Sequence, residues 1–339
     1  MRKIFTLILL ASTALTACSS QEVPTYTTQT STIKSETTNV QMSTLDTYYP
    51  VTITTYNYDM EPVEITFTEA PKNVVAVYQN SIETLLALGL EDTIVYASGL
   101  DHEVKDEYAQ AFTKIPYSSD TYEPDAQTVI ETNPDFILSW YVLFDDSYLG
   151  DVDYWHENGV NTYMLQNTCL TSNRTIENEI IDISNLGVIF DAKREAFLLL
   201  EEIYYVIERG AYYAQTMPPQ STIVIEITND GIIAYGSETL AGDMILRLDA
   251  QLMHPQGGVL TYEQLVSYNP DSIFVVYRDS LDDAMAITAV EQIANNPILQ
   301  NLTAVQNDKV FAMPLNNIHA SEVRTINGLN IFLEGIYLN

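Results

Sequence analysis

Pro71-Lys72-Asn73-Val74-Val75-Ala76-Val77-Tyr78-Gln79-Asn80-Ser81 opens the stretch that decides the fold, which runs on to Ala97. Val74 to Val77 is a short, unbroken apolar run, the pattern of a strand buried on both faces of a parallel sheet. From Ser81 onward Leu85, Leu86 and Leu88 recur at helical spacing until Gly89 stops the helix. Thr93 to Ala97 is then a second apolar strand. Strand, helix and strand within about 25 residues make a βαβ unit.

The same grammar extends in both directions. Upstream, Val51 to Tyr56 and Val63 to Phe67 alternate with period two around the turn formers Asn57 to Pro62, which predicts a hairpin. Downstream the spacing predicts a helix over Ala126 to Thr132, a buried strand over Phe136 to Trp140, a helix from Asp153 to Asn158 and a strand from Val160 to Leu165. A second series follows Pro218-Pro219. It reads as a strand from Thr222 to Ile227 with a hairpin-like return over Ile232 to Tyr235, helices over Leu240 to Leu248 and Tyr262 to Tyr268, and a strand from Ile273 to Tyr277. A helix at Ala289 to Ala294, a strand at Val310 to Met313 and a helix from Glu322 to Glu334 complete it.

An internal repeat supports two related halves. Thr128 to Leu138, which contains Asn133-Pro134-Asp135, matches Gln264 to Phe274, which contains Asn269-Pro270-Asp271, at an offset of 136 residues. In both, proline ends a helix and the apolar run after aspartate begins a strand. Between the halves lies the longest helical pattern, with Asp191 as the expected N-cap and Ala196, Leu199, Leu200, Ile203, Val206 and Ile207 on one face. Its two dozen or so residues would reach roughly 36 Å, enough to join two lobes. The fold class expected is therefore α/β: two Rossmann-like lobes with parallel sheets, joined by a single long α-helix, with a ligand cleft between them. The boundaries are an N-terminal lobe over 49–190, a linking helix over 191–216 and a C-terminal lobe over 217–339.

What precedes the body is of another kind. Arg2 and Lys3, an apolar run from Ile4 to Leu10, and Leu15-Thr16-Ala17-Cys18 look like a bacterial lipoprotein signal over 1–17, with Cys18 as the lipid anchor. That run is shorter than the ~20 residues a spanning helix needs. Half of the 26 residues from Ser19 to Thr44 are Ser or Thr and the only aromatic is Tyr26, so 18–48 reads as a tether. The chain carries 46 Asp and Glu against 14 Lys and Arg, a net charge of −32, which excludes nucleic acid as a partner. With Cys18 lipidated, Cys169 has no partner for a disulfide and reads as a buried small apolar residue.

The lipobox, the tether, Ala70-Pro71-Lys72-Asn73-Val74-Val75, Glu83-Thr84-Leu85-Leu86-Ala87-Leu88-Gly89, the paired Asn-Pro-Asp segments, the linking helix and Arg324 together resemble the helical-backbone substrate-binding proteins of ABC importers. This is the family that serves ferric siderophores, haem and cobalamin. The resemblance runs from about Val51 to Asn339 and rests on the order of the motifs. It implies a monomeric, non-enzymatic carrier with no cofactor of its own, lipid-anchored on the extracytoplasmic face of the cell membrane. Such a carrier takes a small-molecule metal chelate, here a ferric siderophore with cobalamin or haem as the alternative cargo, to an ABC permease dimer. An acidic residue on each lobe is expected to meet a permease arginine. Glu263 fits on the C-terminal lobe; the matching position of the other lobe is Gln127, a departure, with Glu123 or Asp125 able to supply the charge.

Ligands of open parallel sheets sit beyond the carboxyl ends of the strands. Here that rule selects Tyr78, Gln79, Asn80, Trp140 and Tyr141 in the first lobe, and Ser237, Tyr277, Arg278 and His319 in the second. Aromatic rings would pack a flat chelate shell, and Arg278 and Arg324 could fork onto its oxygens. The acidic balance favours neutral or cationic chelates. Alternatives from other classes are a surface adhesion lipoprotein or a chelatase-like enzyme on the same scaffold. His102, His156, His254 and His319 lack metal-ligand spacing, although His102 and His319 both fall in loops at strand ends. Asp145 to Asp153 matches a calcium loop only loosely, because Leu149 occupies a ligand position. No phosphate loop, dinucleotide fingerprint or nucleophile motif is present, so catalysis has no constellation to carry it.

Overall fold

The computed structural model describes residues 48–169, 173–229, 231–278 and 283–339. The expectations for the signal, the tether and Cys18 lie outside the described residues. Two strands, β1 (Val51–Tyr56) and β2 (Pro62–Phe67), form the antiparallel hairpin expected from their alternation. Ile53, Ile65 and Phe67 are the inward residues of that period and are buried.

The first sheet contains β3 (Val74–Val77), β4 (Ile94–Ser98), β5 (Phe136–Ser139) and β6 (Asn161–Met164) in the order β4-β3-β5-β6, all parallel. Every residue of β3 and β5 is buried, as expected of strands covered on both faces. Helices α1 (Gln79–Ala87), α2 (Ala109–Phe112), α3 (Ala126–Glu131), α4 (Val152–Glu157) and α5 (Ile176–Ile189) belong to this half. The long α6 (Lys193–Thr216) leads to the second half. There β7 (Ser221–Thr228), β8 (Gly231–Ala234), β9 (Gln251–Leu252), β10 (Gly258–Leu260), β11 (Ser272–Tyr277) and β12 (Val310–Pro314) form a sheet with the path β10-β8-β7-β11-β12, and β9 lies beside β7. Its helices are α7 (Leu240–Arg247), α8 (Tyr262–Tyr268), α9 (Asp283–Ala294), α10 (Thr303–Gln306) and α11 (Thr325–Leu333). This second sheet is mixed: β7, β9, β11 and β12 are parallel, whereas β8 and β10 run against their neighbours.

The repeated Asn-Pro-Asp does the same work twice. Asn133 and Asn269 both adopt a left-handed backbone, with φ of 51° and 43°, which asparagine tolerates at the end of a helix. The aspartate then ties the new strand to the first strand of its own sheet. Asp135 accepts from the backbone N–H groups of Lys72 and Asn73 at 2.9–3.1 Å, just before β3. Asp271 accepts from the N–H and the hydroxyl of Ser221, at the start of β7, at 2.8 and 2.7 Å.

Two expectations need correction. Asp191 does not cap the long helix: the N-cap position is Ala192, with no side-chain bond, and Asp191 sits in the turn before it at φ 53°. The sequence reading also passes over α5, whose Ile176, Ile180, Ile183, Leu186 and Ile189 are buried at helical spacing. Glu179 and Asp182 interrupt that face and are themselves fully buried. α5 and α6 meet at Gly187, where an added Cβ would lie 2.5 Å from Cβ of Ala196, so the crossing requires glycine.

Candidate functional site

The carboxyl edges of the two sheets face a cleft of about 630 Å³, within the usual range for small-molecule sites. From the first half it is lined by Gln79 and Asn80 after β3, Asp101 and His102 after β4, Trp140 after β5 and Arg174 after β6. The second half contributes Glu226 of β7, Tyr235 after β8, Tyr277 and Arg278 at the end of β11, and residues 314–316 and 319–320 after β12. Apart from Tyr235, which follows antiparallel β8, these positions lie near or beyond the carboxyl ends of parallel strands, as in open α/β sheets.

The first wall is built around Trp140. Its indole Nε1–H donates to Oδ1 of Asn80 at 2.6 Å. The Asn80 amide in turn donates to the carbonyl of Ala320 at 2.8 Å and to Glu322, so this side chain links the two halves while fixing the ring. Behind Trp140 lies the ring of Tyr78, with centroids 4.7 Å apart. Tyr78 holds a positive φ of 76° at the start of α1, and its hydroxyl donates to Glu123 at 2.6 Å.

The opposite wall carries the charge. Nε of Arg278 donates to Glu226 at 2.5 Å and Nη2 at 3.3 Å, a forked pair. The Tyr235 hydroxyl donates to the same carboxylate at 3.0 Å, and the Arg278 pair holds Glu226 below the usual carboxylate range against its partial burial. Arg324 forks onto fully buried Glu83 at 2.6 and 2.7 Å. Glu83 Oε1 also accepts from Gln79 and from the Lys105 N–H, both at 2.9 Å. Arg174 is fixed by its Nε, which donates to the Asn167 carbonyl at 2.9 Å. Burial, with Arg174 and Arg278 nearby, lowers the His319 imidazole to about 4, so it is neutral at physiological pH. Its ring centroid lies 5.9 Å from that of Trp140. His102, on the first half, is hydrogen-bonded to Asn316 of the second.

Beneath the cleft the halves are joined by buried acids. Glu179 of α5 accepts from the backbone N–H groups of Ser321 and Glu322, from the Thr325 hydroxyl and from Asn167. Glu322 has φ 40°, is fully buried and keeps Oε1 without a partner. Burial first, then the neighbouring Glu179 and Asp182 charges, push its carboxyl well above the usual range. Burial likewise pushes Asp182 up to about 8, although it accepts from Tyr163 and Gln166.

The structure brings Gln79, Asn80, Trp140, Tyr277, Arg278, His319 and Arg324 to the cleft lining, and leaves three expected residues off it. Tyr78 is buried behind Trp140. Tyr141 turns the other way and stacks on Tyr58, with ring centroids 4.6 Å apart. Ser237 donates to the Pro255 carbonyl at 3.0 Å instead, because β8 is antiparallel and the chain past its end leaves the carboxyl edge of β7. Asp101, Tyr122, Arg174, Glu226 and Tyr235 are lining residues that the sequence reading missed. Glu263 is exposed in the first turn of α8. Gln127 is exposed and bonded to Glu131 at 2.9 Å, and Glu123 is engaged by Tyr78. Among the described residues no group of three or more His, Cys, Asp and Glu is placed to hold a metal ion. Asp145 accepts from Tyr58 and from the Ser147 N–H. Cys169 is buried and free, its thiol raised to about 12.

Residues 74–316 match the protein family described as Periplasmic binding protein, a span that contains both sheets and nearly all of the cleft. The chain belongs to that family. A periplasmic binding protein from Veillonella parvula is 30% identical, with a TM-score of 0.80 over 86% of this chain and 92% of that one. The uncharacterized ABC transporter substrate-binding lipoprotein YvrC of Bacillus subtilis is 23% identical over 297 residues, 85% of this chain and 86% of that protein. An ABC-type Fe3+-hydroxamate transport system structure from Saccharomonospora viridis is 21% identical, with a TM-score of 0.63 over 85% of this chain and 99% of that one. The periplasmic binding protein is thus a substrate carrier of the ABC-importer type, with no enzymatic activity. No helix among the described residues is long and apolar enough to cross a membrane.

Proposed function

We propose that this binding protein captures an iron complex, a ferric siderophore, between its two sheets and delivers it to an ABC permease. The observation that carries the reading is the cleft itself: a concave site walled by Trp140, Tyr122, Tyr235 and Tyr277 and edged by arginines. Aromatic faces pack the apolar shell of a chelate, and guanidinium forks reach its oxygens. The Fe3+-hydroxamate neighbour supports the class of cargo. Cys18 is the lipid anchor that holds the body on the extracytoplasmic face of the membrane, with residues 18–48 as the tether. Exposed Glu263 on one lobe, with Gln127 and Glu123 on the other, forms the docking surface for the permease. A flat tetrapyrrole, haem or cobalamin, is the second reading. His319 favours it, because a neutral imidazole beside the Trp140 ring can approach the open face of a planar metal complex.

Fluorescence titration tests the proposal. Ferric hydroxamates, haem and cobalamin are each titrated into micromolar protein, and one is expected to quench the Trp140 emission saturably. No quenching by any of the three would refute the cargo assignment.

A further inference from the structure

The Asn80 side chain has one arrangement that satisfies it. An indole N–H can only donate, so Oδ1 of Asn80 must face Trp140, and the amide nitrogen must then face the Ala320 carbonyl and Glu322. Trp140, in the wall of the cleft, is thereby tied through one buried amide to the turn 320–325 of the second half. Glu322 is the far end of that tie. It is fully buried, keeps Oε1 without a partner among the described residues and holds a left-handed φ of 40°, a conformation that persists in a glutamate only where its surroundings impose it.

Its neighbour Glu179, on α5 of the first half, accepts the backbone N–H of Glu322 itself and three further donors, on Ser321, Thr325 and Asn167. Two carboxylates side by side in a desolvated junction do not both ionise readily. The donors decide between them. Four hydrogen bonds stabilise charge on Glu179, whereas Asn80 alone does so on Glu322, so Glu179 carries the charge and Glu322 keeps the proton. The other charged groups around the turn do not neutralise it. Glu83 of α1 and Arg324 answer each other, Arg174 is held by the Asn167 carbonyl, and His319 is uncharged at physiological pH. Asp182 of α5 adds to the repulsion and is itself bound by Tyr163 of β6, while Asp243 of α7 accepts from the Ile176 N–H at the start of α5.

We infer that Glu322 is a positioning residue for the cleft: through Asn80 it holds Trp140 in place while it keeps its proton, and it releases the ring when a second negative charge forms beside Glu179. The inference goes beyond the proposed capture of a chelate, because it needs no particular cargo. Burial and the Glu179 and Asp182 charges raise the Glu322 carboxyl. The tie is therefore complete at low pH and is lost as pH rises through the folded value, the proton passing to solvent. Glu322 belongs to the second half, and Asn80, Trp140 and Glu179 to the first, so the same step loosens the junction beneath the cleft.

The test is read on the ligand-free protein. The chain has two tryptophans, Trp140 and Trp155, so Trp155→Phe leaves Trp140 as the sole emitter. Its emission maximum and its quenching by acrylamide are followed from pH 6 to 10. A single transition is expected, to redder and more quenchable emission as pH rises. Glu322→Gln should hold the low-pH spectrum throughout, since the amide still accepts from Asn80 and cannot ionise. Asp182, raised to about 8, also titrates within the scan, and Asp182→Asn separates the two groups. In that variant the transition should persist and move to lower pH, because one of the charges that raise Glu322 is gone. Asn80→Ala should show the loose spectrum at every pH. A transition that survives Glu322→Gln or Asn80→Ala, one abolished by Asp182→Asn, or none in the Trp155→Phe parent overturns the inference. Should far-UV circular dichroism show that Glu322→Gln does not fold, Asp182→Asn and Asn80→Ala carry the same decision.

Discussion

Replacing Arg324 with Met should destabilise this protein more than any single change on its surface. The guanidinium is 4% exposed and forks onto Glu83, which is 0% exposed, at 2.6 and 2.7 Å. Removing one member of a buried ion pair leaves the other charge desolvated, at a cost of about 3–5 kcal/mol. Near the melting temperature each kcal/mol is worth about 2 °C in a chain of this size, so Arg324→Met should melt about 6–10 °C lower. Because Glu83 comes from α1 and Arg324 from the turn before α11, the pair also clamps the two halves beneath the cleft. Glu83→Gln alone should lose a similar amount, whereas Glu83→Gln with Arg324→Met should lose much less than the sum. Gln79 and the Lys105 N–H still need an acceptor at position 83, which glutamine supplies, so the double variant keeps most of the remaining bonds. Urea denaturation of all four proteins gives the coupling energy directly. Additive losses, or a single-variant cost below about 1 kcal/mol, the value of an exposed pair, would refute the argument.

Stability should fall as pH rises. The Asp182 carboxyl goes from 3.8 to about 8 on folding, so between those limits the unfolded chain gives up a proton that the folded protein keeps, and the folded state is favoured at the acid end. Raised Glu179 and Glu322 act in the same direction; Asp182→Asn should flatten a melting-temperature profile taken from pH 5 to 8, and an unchanged slope would contradict the assignment. Gly328→Ala should distort the cleft, because its Cβ would lie 2.2 Å from the carbonyl oxygen of Asn317, in the segment that carries Asn316 and His319; weaker cargo binding is expected, read by titration. Asn80→Ala should free the Trp140 indole, shifting its emission and lowering affinity while a Trp155→Phe background isolates the signal. Cys18→Ala should release the protein from the membrane fraction, as blotting of fractionated cells would show.

Most of the backbone was legible because buried parallel strands such as Val74 to Val77 are apolar throughout, and helices such as Leu85 to Leu88 carry one apolar face. The reading failed where function or tertiary contact replaces an apolar residue. α5 escaped notice because Glu179 and Asp182 sit on its inner face, and only the folded structure supplies the partners that make such burial tolerable. The strand-end rule leads to Asn80, Trp140, Tyr277 and Arg278, which line the cleft, since a parallel strand delivers its next residues to one edge. It does not lead to the lining at Ser237, where the strand is antiparallel, or at Tyr141, one residue beyond Trp140, where the chain turns into a short 3-10 helix. Arg174 lies in a polar stretch without periodicity, and its place in the cleft depends on how α5 docks, which no local pattern encodes. Counting charges over the whole chain likewise concealed that folding gathers three arginines around one cavity.

On the function proposed above, one guest lies between the two sheets against Trp140. A crystal of the protein grown with its tightest-binding ferric chelate, measured at the iron absorption edge, locates the metal directly. An anomalous peak is expected inside the cleft, between the Trp140 ring and the wall that carries Arg174, Tyr235 and His319. An iron peak anywhere else on the molecule, with the cleft empty of ligand density, would contradict it.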